Sequence, residues 1–430
     1  MGVLSSMWTG VSGLQAQGEG LGVTADNIAN ANTTGFKQSR AEFSDIMARS
    51  LKGIDGGNQM GRGVRVAAIN PVLLQGNIDN TDRTTDLALN GDGYFKMVGS
   101  EGTSFTRDGS FHFDKNGFLV NNNKQRVQGY QADERGKIET RLGDIKFPRA
   151  LVNATGTKEV KLDLNLDSRE IADSKTFDAK DPYKTSHYAT AVEVYDTQGA
   201  KHLVNMFFNR GADRTWTYRG LVDGKQIEGG TPEGQEMGQV VQGTLKFNED
   251  GKLESQEVTE SNMNFAGGAK QDQQVKFNFG DDLASGGKGI DGTKQFGKDS
   301  DIVSWKQDGY SAGMVNSLSF NDEGVLTVSY SNGQVMDLGQ VALAKFENAE
   351  ALFKTGGNQF KESRDSGPAS LGAPRSSGRG SLVAKSLERS TVDLASEFVN
   401  MITGQRGFQA NSKTITTTDE LLGEVIQLKR

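Results

Sequence analysis

A chain of 430 residues has room for several hydrophobic cores, and 55 glycines against six prolines point to many tight turns rather than to extended proline-rich disorder. A formal net charge of -7 with no clustered Lys or Arg argues against a nucleic-acid partner or an anionic membrane surface. With no cysteine there is no disulfide, thiolate nucleophile or Cys-ligated metal, and His112, His187 and His202 lie far apart, so neither a metal nor another cofactor is expected.

The N-terminus lacks the basic region and unbroken apolar core of a cleaved secretory signal. No stretch approaches the roughly 20 apolar residues of a membrane span, so direct membrane insertion is not expected. Instead, residues 4–28 carry a heptad seam: Leu4, Met7, Val11, Leu14, Gly18, Leu21, Ala25 and Ile28 follow one another in alternating steps of three and four. No charge precedes Glu19, and Gly10, Gly13, Gly18, Gly20 and Gly22 each cost roughly 1 kcal/mol relative to alanine in a helix interior. Such a helix is expected to be unstable until a partner covers it.

Residues 38–83 read as a connecting segment with a short amphipathic run at 42–51 and a flexible joint at Gly53, Gly56 and Gly57. Short strands are expected at 64–66 and 87–89, and hairpins follow to about 147. Asp114-Lys115-Asn116-Gly117 between Phe113 and Phe118 is a polar turn closed by glycine, and the pattern recurs at 247–253 and 320–326. A calcium-loop reading fails on Lys246, which would occupy the first ligand position, so these are hairpin turns.

Residues 149–301 form an inserted all-β domain in this reading. It opens on Val160, Leu162, Leu164 and Leu166 at period two and continues in strands near 191–195, 203–208 and 215–222. The glycine-rich stretch 284–292 lacks the order of a phosphate-binding loop and reads as a hinge. Strands resume at 318–330 and 335–338 around Asn332-Gly333, completing a first β-domain made of 84–148 plus 302–361. Residues 362–381, rich in Ser, Gly, Pro and Arg, are expected to be a linker. The last segment, 382–430, is a second heptad helix, with Leu394, Phe398, Met401, Gln405, Phe408, Ser412, Ile415, Asp419, Leu422 and Ile426 at the same spacing. The fold class expected is multidomain and mainly β with α-helical termini, the two heptad helices pairing as an inner coiled coil with two nested all-β domains outside.

Asn27 through Lys37, and in particular Asn27, Asn30, Asn32, Thr33, Thr34, Gly35, Phe36 and Lys37, resembles the signature of the flagellar rod and hook axial proteins. Residues 400–413 resemble that family's C-terminal motif, and 86–95 and 105–111 its β-domain motifs. Within the family, the large insertion at 149–301 resembles the hook branch more than the shorter distal rod branch. The resemblance implies a non-enzymatic structural subunit of a hollow, bendable extracellular tube that transmits motor torque to the filament. It also implies export through the flagellar type III apparatus. The implied partners are many copies of the chain itself, the distal rod protein, a hook cap protein and a hook-filament junction protein.

The assembly interface expected from the seams comprises Leu4, Met7, Val11, Leu14, Leu21, Ile28, Leu394, Phe398, Met401, Phe408, Ile415, Leu422 and Ile426. Each such side chain is worth roughly 1.5–3 kcal/mol when buried, which couples helix stability to polymerisation. A distal rod protein is the alternative within the family. A secreted adhesive or carbohydrate-active β-protein with terminal coiled coils is the alternative from another class, drawing on Trp216 and Trp305.

Overall fold

The structure is a computed structural model that describes residues 2–46, 49–50, 59–133, 136–147, 151–172, 175–228 and 237–427. Long helices occupy the two ends, Gly2–Ala29 and Leu394–Gln427, and most of the remaining elements are strands. The chain divides into two compact units, one of residues 1–149, 317–328 and 335–430 and one of residues 150–316 and 329–334.

In the first unit, Tyr94–Gly99 forms a hairpin with Gly102–Thr106 and pairs on its other side with Arg126–Ala132. The chain returns to this region from its far end. Ser381–Ala384 lies antiparallel to Leu87–Asn90, and Ser386–Glu388 lies antiparallel to Ile78–Asn80. These ladders place Leu382 in one core with Leu87, Leu89, Phe95, Phe111 and Val341. A second cluster forms around Phe346, whose ring meets Tyr94 and Phe105 edge-on at centroid distances of 5.8 and 4.9 Å.

The acidic turns owe their shape to one side-chain oxygen each. Asp114 Oδ1 accepts from the backbone N–H of Asn116 and Phe118, both at 2.8 Å, and Gly117 follows at φ 83°. Asn248 and Asn321 accept the equivalent pairs of N–H groups ahead of Gly251 and Gly324. These oxygens brace the backbone of each turn in the manner of Asx turns, which gives the hairpin its shape.

Two expectations for this unit change. The amphipathic run at 42–51 begins inside a strand rather than in a free connection: Ser39–Asp45 pairs with Val64–Pro71, and Phe43 rests 3.1 Å from where a side chain on Gly20 would begin. Residues 362–381 are not a bare linker. Ser370–Gly372 pairs with Leu343–Lys345, and the buried Arg379 donates to the Ser370 and Ser376 carbonyls. Hydrogen bonds and a few scattered apolar contacts, among them Ala369 and Leu371 against the Phe346 cluster, fix this stretch, so hydrophobic periodicity could not reveal it. The glycine joint at 53–57 lies outside the described residues.

The second unit contains a five-stranded antiparallel sheet in chain order: Tyr188–Tyr195, Lys201–Arg210, Thr215–Asp223, Met237–Phe247 and Leu253–Ser261. A smaller sheet is built on Glu159–Asp167, flanked in parallel by Lys276–Asn278 and Lys294–Phe296 and antiparallel by Asp301–Gln307. Val160, Leu162, Leu164 and Leu166 are all buried among Phe208, Trp216, Tyr218 and Phe279. Because Trp305 pairs with Leu162, the strand after 301 belongs to this unit, and the insertion extends to 316 rather than ending at 301. The expected hinge at 284–292 is anchored near its ends: Ala284 N–H donates to Glu254 O at 3.0 Å and Asp281 N–H to Asp291 O at 3.2 Å.

Candidate assembly surface

The two terminal helices pack antiparallel, and glycines set how closely they approach. A side chain begun on Gly10 would lie 3.0 Å from Ile415 Cγ1, and one on Gly13 only 2.6 Å from Asn411 Oδ1. Farther along, Gly407 faces Gln17 and Gly404 faces Leu21, with 2.9 Å from a Gly404 Cβ to Leu21 Cδ2. Asn411 is held in place by donating to Gly407 O at 3.0 Å. On the C-terminal helix the contact thus runs through the small or polar Gly404, Gly407 and Asn411 together with Ile415. Gly18 and Gly22 have nothing within 4 Å among the described residues.

The expected seam residues divide accordingly. Met7, Val11, Leu14, Leu21 and Ile28 are half-buried, as are Met401, Ile415 and Leu422. The side chain of Leu4 lies outside the described residues. Leu394, Phe398, Phe408 and Ile426 are 42%, 51%, 41% and 68% exposed. With 100° per residue, these four share one stripe of the C-terminal helix, turned about a fifth of the circumference from the stripe of Gly404, Asn411 and Ile415 that meets the N-terminal helix. Val399, Ile402 and Leu421 are exposed apolar side chains on the same helix, and Trp8 is exposed on the N-terminal one.

The stretch Asn27 to Lys37 is a clasp rather than a surface. Asn27 is buried and pairs with Ser39 as a strand would, Nδ2 donating to Ser39 O at 2.8 Å and Oδ1 accepting from Ser39 N at 2.9 Å. Asn30 Nδ2 donates to Asp26 O, and Asn30 Oδ1 accepts from Thr33. Asn32 is exposed. Thr34 O accepts from Asn358, and the Lys354 ammonium lies 5.9 Å from the centre of the Phe36 ring. Gly35 adopts φ 69° and donates its N–H to Glu388 O at 2.8 Å. A Cβ there would sit 2.8 Å from the Arg107 backbone, so glycine is required on both counts.

At the centre of the clasp, Lys37 Nζ lies 2.6 Å from Glu388 Oε1 and Arg107 Nη1 3.3 Å from Glu388 Oε2, with Glu388 fully buried. Lys37 also donates to Leu74 O, and Gly76 N–H donates to Glu388 Oε1 at 2.8 Å. Burial pushes the Lys37 ammonium below the ordinary lysine range, opposed by its bond to Glu388. One carboxylate therefore ties together the end of the first helix, the 105–111 motif and the strand leading into the last helix. Sequence reasoning missed Glu388, since its partner Lys37 is 351 positions away and no local period marks it.

Residues 7–37 match the family model described as Flagella basal body rod protein, and residues 383–428 match Flagellar basal body rod FlgEFG protein C-terminal. Between them, 88–163 match Flagellar hook protein FlgE/F/G D1 domain and 165–310 match Flagellar basal body protein FlaE D2 domain. The chain is 34% identical to the flagellar hook protein FlgE of Treponema pallidum over 100% of both chains. It is also 34% identical to that of Salmonella typhimurium over 97% of this chain and 98% of the other. A crystal structure of Helicobacter pylori flagellar hook protein FlgE2 resembles it in fold, with a TM-score of 0.53 and 14% identity over 72% of this chain and 100% of that one. The chain belongs to the flagellar hook protein FlgE family.

Proposed function

We propose that this chain is the structural subunit that self-assembles into the bacterial flagellar hook, a hollow and bendable joint between motor and filament. Full-length similarity to hook proteins carries the reading over the distal rod alternative. The stripe of Leu394, Phe398, Phe408 and Ile426 supports polymerisation in particular, because it offers apolar area that the chain's own first helix leaves uncovered. A face of one subunit meeting a different face of the next, repeated without closure, generates a helical filament. Burial of each large side chain in such a contact is worth roughly 1.5–3 kcal/mol. The carbohydrate-active alternative loses one of its two tryptophans, since Trp216 is sealed in the core of the second unit.

In this proposal the subunit leaves by the flagellar type III apparatus without a cleaved signal peptide and is added beneath a hook cap. The finished tube lies outside the cell and joins the distal rod to the hook-filament junction. Seam residues Met7, Val11, Leu14, Leu21, Ile28, Met401, Ile415 and Leu422 support the helix pair, and the exposed stripe supports contacts between copies. Negative-stain electron microscopy of the concentrated protein tests the reading. Curved tubes are expected; straight tubes would move the chain to the rod, and monomers at every concentration would overturn it.

A further inference from the structure

Beside the helix pair, the first unit holds a groove of about 410 Å³ lined by Leu21, Thr24, Asn27, Phe43, Thr403 and Glu397, among others. Glu397 is 7% exposed, yet its carboxylate makes no hydrogen bond or ion pair among the described residues. A largely buried side chain whose carboxylate has no partner among the described residues is an open acceptor, and the groove leaves room for a donor to enter. The Gly2–Ala29 helix contains no Lys or Arg, and the described C-terminal helix contains two basic residues, Arg406 and Lys413. Arg406 is exposed and makes no hydrogen bond or ion pair among the described residues.

Arg406 cannot reach Glu397 of its own chain. Nine residues are two and a half turns, which sets the two side chains on opposite faces of one helix and about 13.5 Å apart along its axis. We infer that the groove is a socket for the guanidinium of Arg406 from a second copy, so that Glu397 becomes paired only on assembly. The inference rests on the hook-subunit reading. A planar guanidinium matches a carboxylate through two parallel N–H donors, which an ammonium such as that of Lys413 does not. The competing occupant is internal. Arg40 also lines the groove, but its side chain is exposed and lies 3.2 Å from Glu42.

The test is the concentration of full-length protein at which tubes form, read by sedimentation and electron microscopy. Glu397→Gln and Arg406→Gln should each raise it by roughly thirtyfold or more, while the double variant Glu397→Arg with Arg406→Glu recovers most of the loss. Circular dichroism of the dilute monomers checks that each variant folds as the parent does. If folding suffers in a single variant, the swap still decides, because recovery requires the two positions to meet. Tubes from the parent chain together with a swap no better than either single variant would overturn the inference and leave the hook reading intact. Arg40→Gln or Lys413→Gln reproducing the loss while Arg406→Gln does not would overturn it too. Absence of tubes from the parent chain would instead count against the hook reading itself.

Discussion

Glu388 neutralises two buried cations at once, and the asymmetry of that arrangement has a measurable consequence. Glu388→Gln leaves Lys37 and Arg107 without a counter-charge, and breaking a buried pair in this way costs about 3–5 kcal/mol. Lys37→Met keeps the Arg107–Glu388 contact and removes an ammonium whose burial already disfavours its charge, so it should cost distinctly less in urea unfolding. The pH dependence follows from the same lowered pKa. Between the folded value and 10.5 the unfolded chain binds the Lys37 proton more tightly than the folded one, so the parent should gain stability relative to Lys37→Met as pH rises toward 10.5. A Glu388→Gln variant as stable as the parent would show that the clasp is held by its backbone contacts alone.

Among the elements, the two terminal helices show how far periodicity reaches. Their existence was legible, because alternating steps of three and four persist over 25 residues at one end and 33 at the other. Which stripe each turns toward the other was not, because the contact on the C-terminal helix runs through Gly404, Gly407 and Asn411, which a count of apolar residues passes over. The glycines of the first helix also separate into two kinds. Gly10 and Gly13 make close approach possible, whereas Gly18 and Gly22 meet nothing within 4 Å among the described residues and keep only their cost to helix stability. The strand 39–45 was missed because five of its seven residues are polar or charged and its pairing partner lies across a connection that local pattern does not span. Substitutions on the two stripes should therefore act at different stages. Phe408→Asp lies on the exposed stripe and should leave monomer helicity unchanged while abolishing tubes. Gly13→Leu, meeting Asn411 at 2.6 Å, should lower monomer helicity itself. Circular dichroism of dilute protein followed by sedimentation separates the two. Equal helicity in both variants would refute the assignment of stripes.

For the molecule as a whole, the chain ends return to the β-core before they become helices, and this decides where an independently folding fragment can be cut. The motif boundaries visible in sequence suggest 84–361 for the two β-domains. That fragment lacks Ser381–Ala384 and Ser386–Glu388, so Leu87–Asn90 loses its ladder and the core loses Leu382, a side chain worth roughly 1.5–3 kcal/mol when buried. It also removes Glu388 from Arg107 while leaving the arginine in place. A fragment of 75–390 retains both ladders, the Arg107–Glu388 pair and the hydrogen bond from Arg389 N–H to Asn77 O. It should be soluble, folded and monomeric at concentrations where the full chain sediments as tubes, and it should melt well above 84–361. Monomeric behaviour of 75–390 would place polymerisation in the terminal helices and the segment 38–74. Tubes formed by 75–390 would shift the assembly contacts to the β-units and take from the exposed helical stripe the role proposed for it.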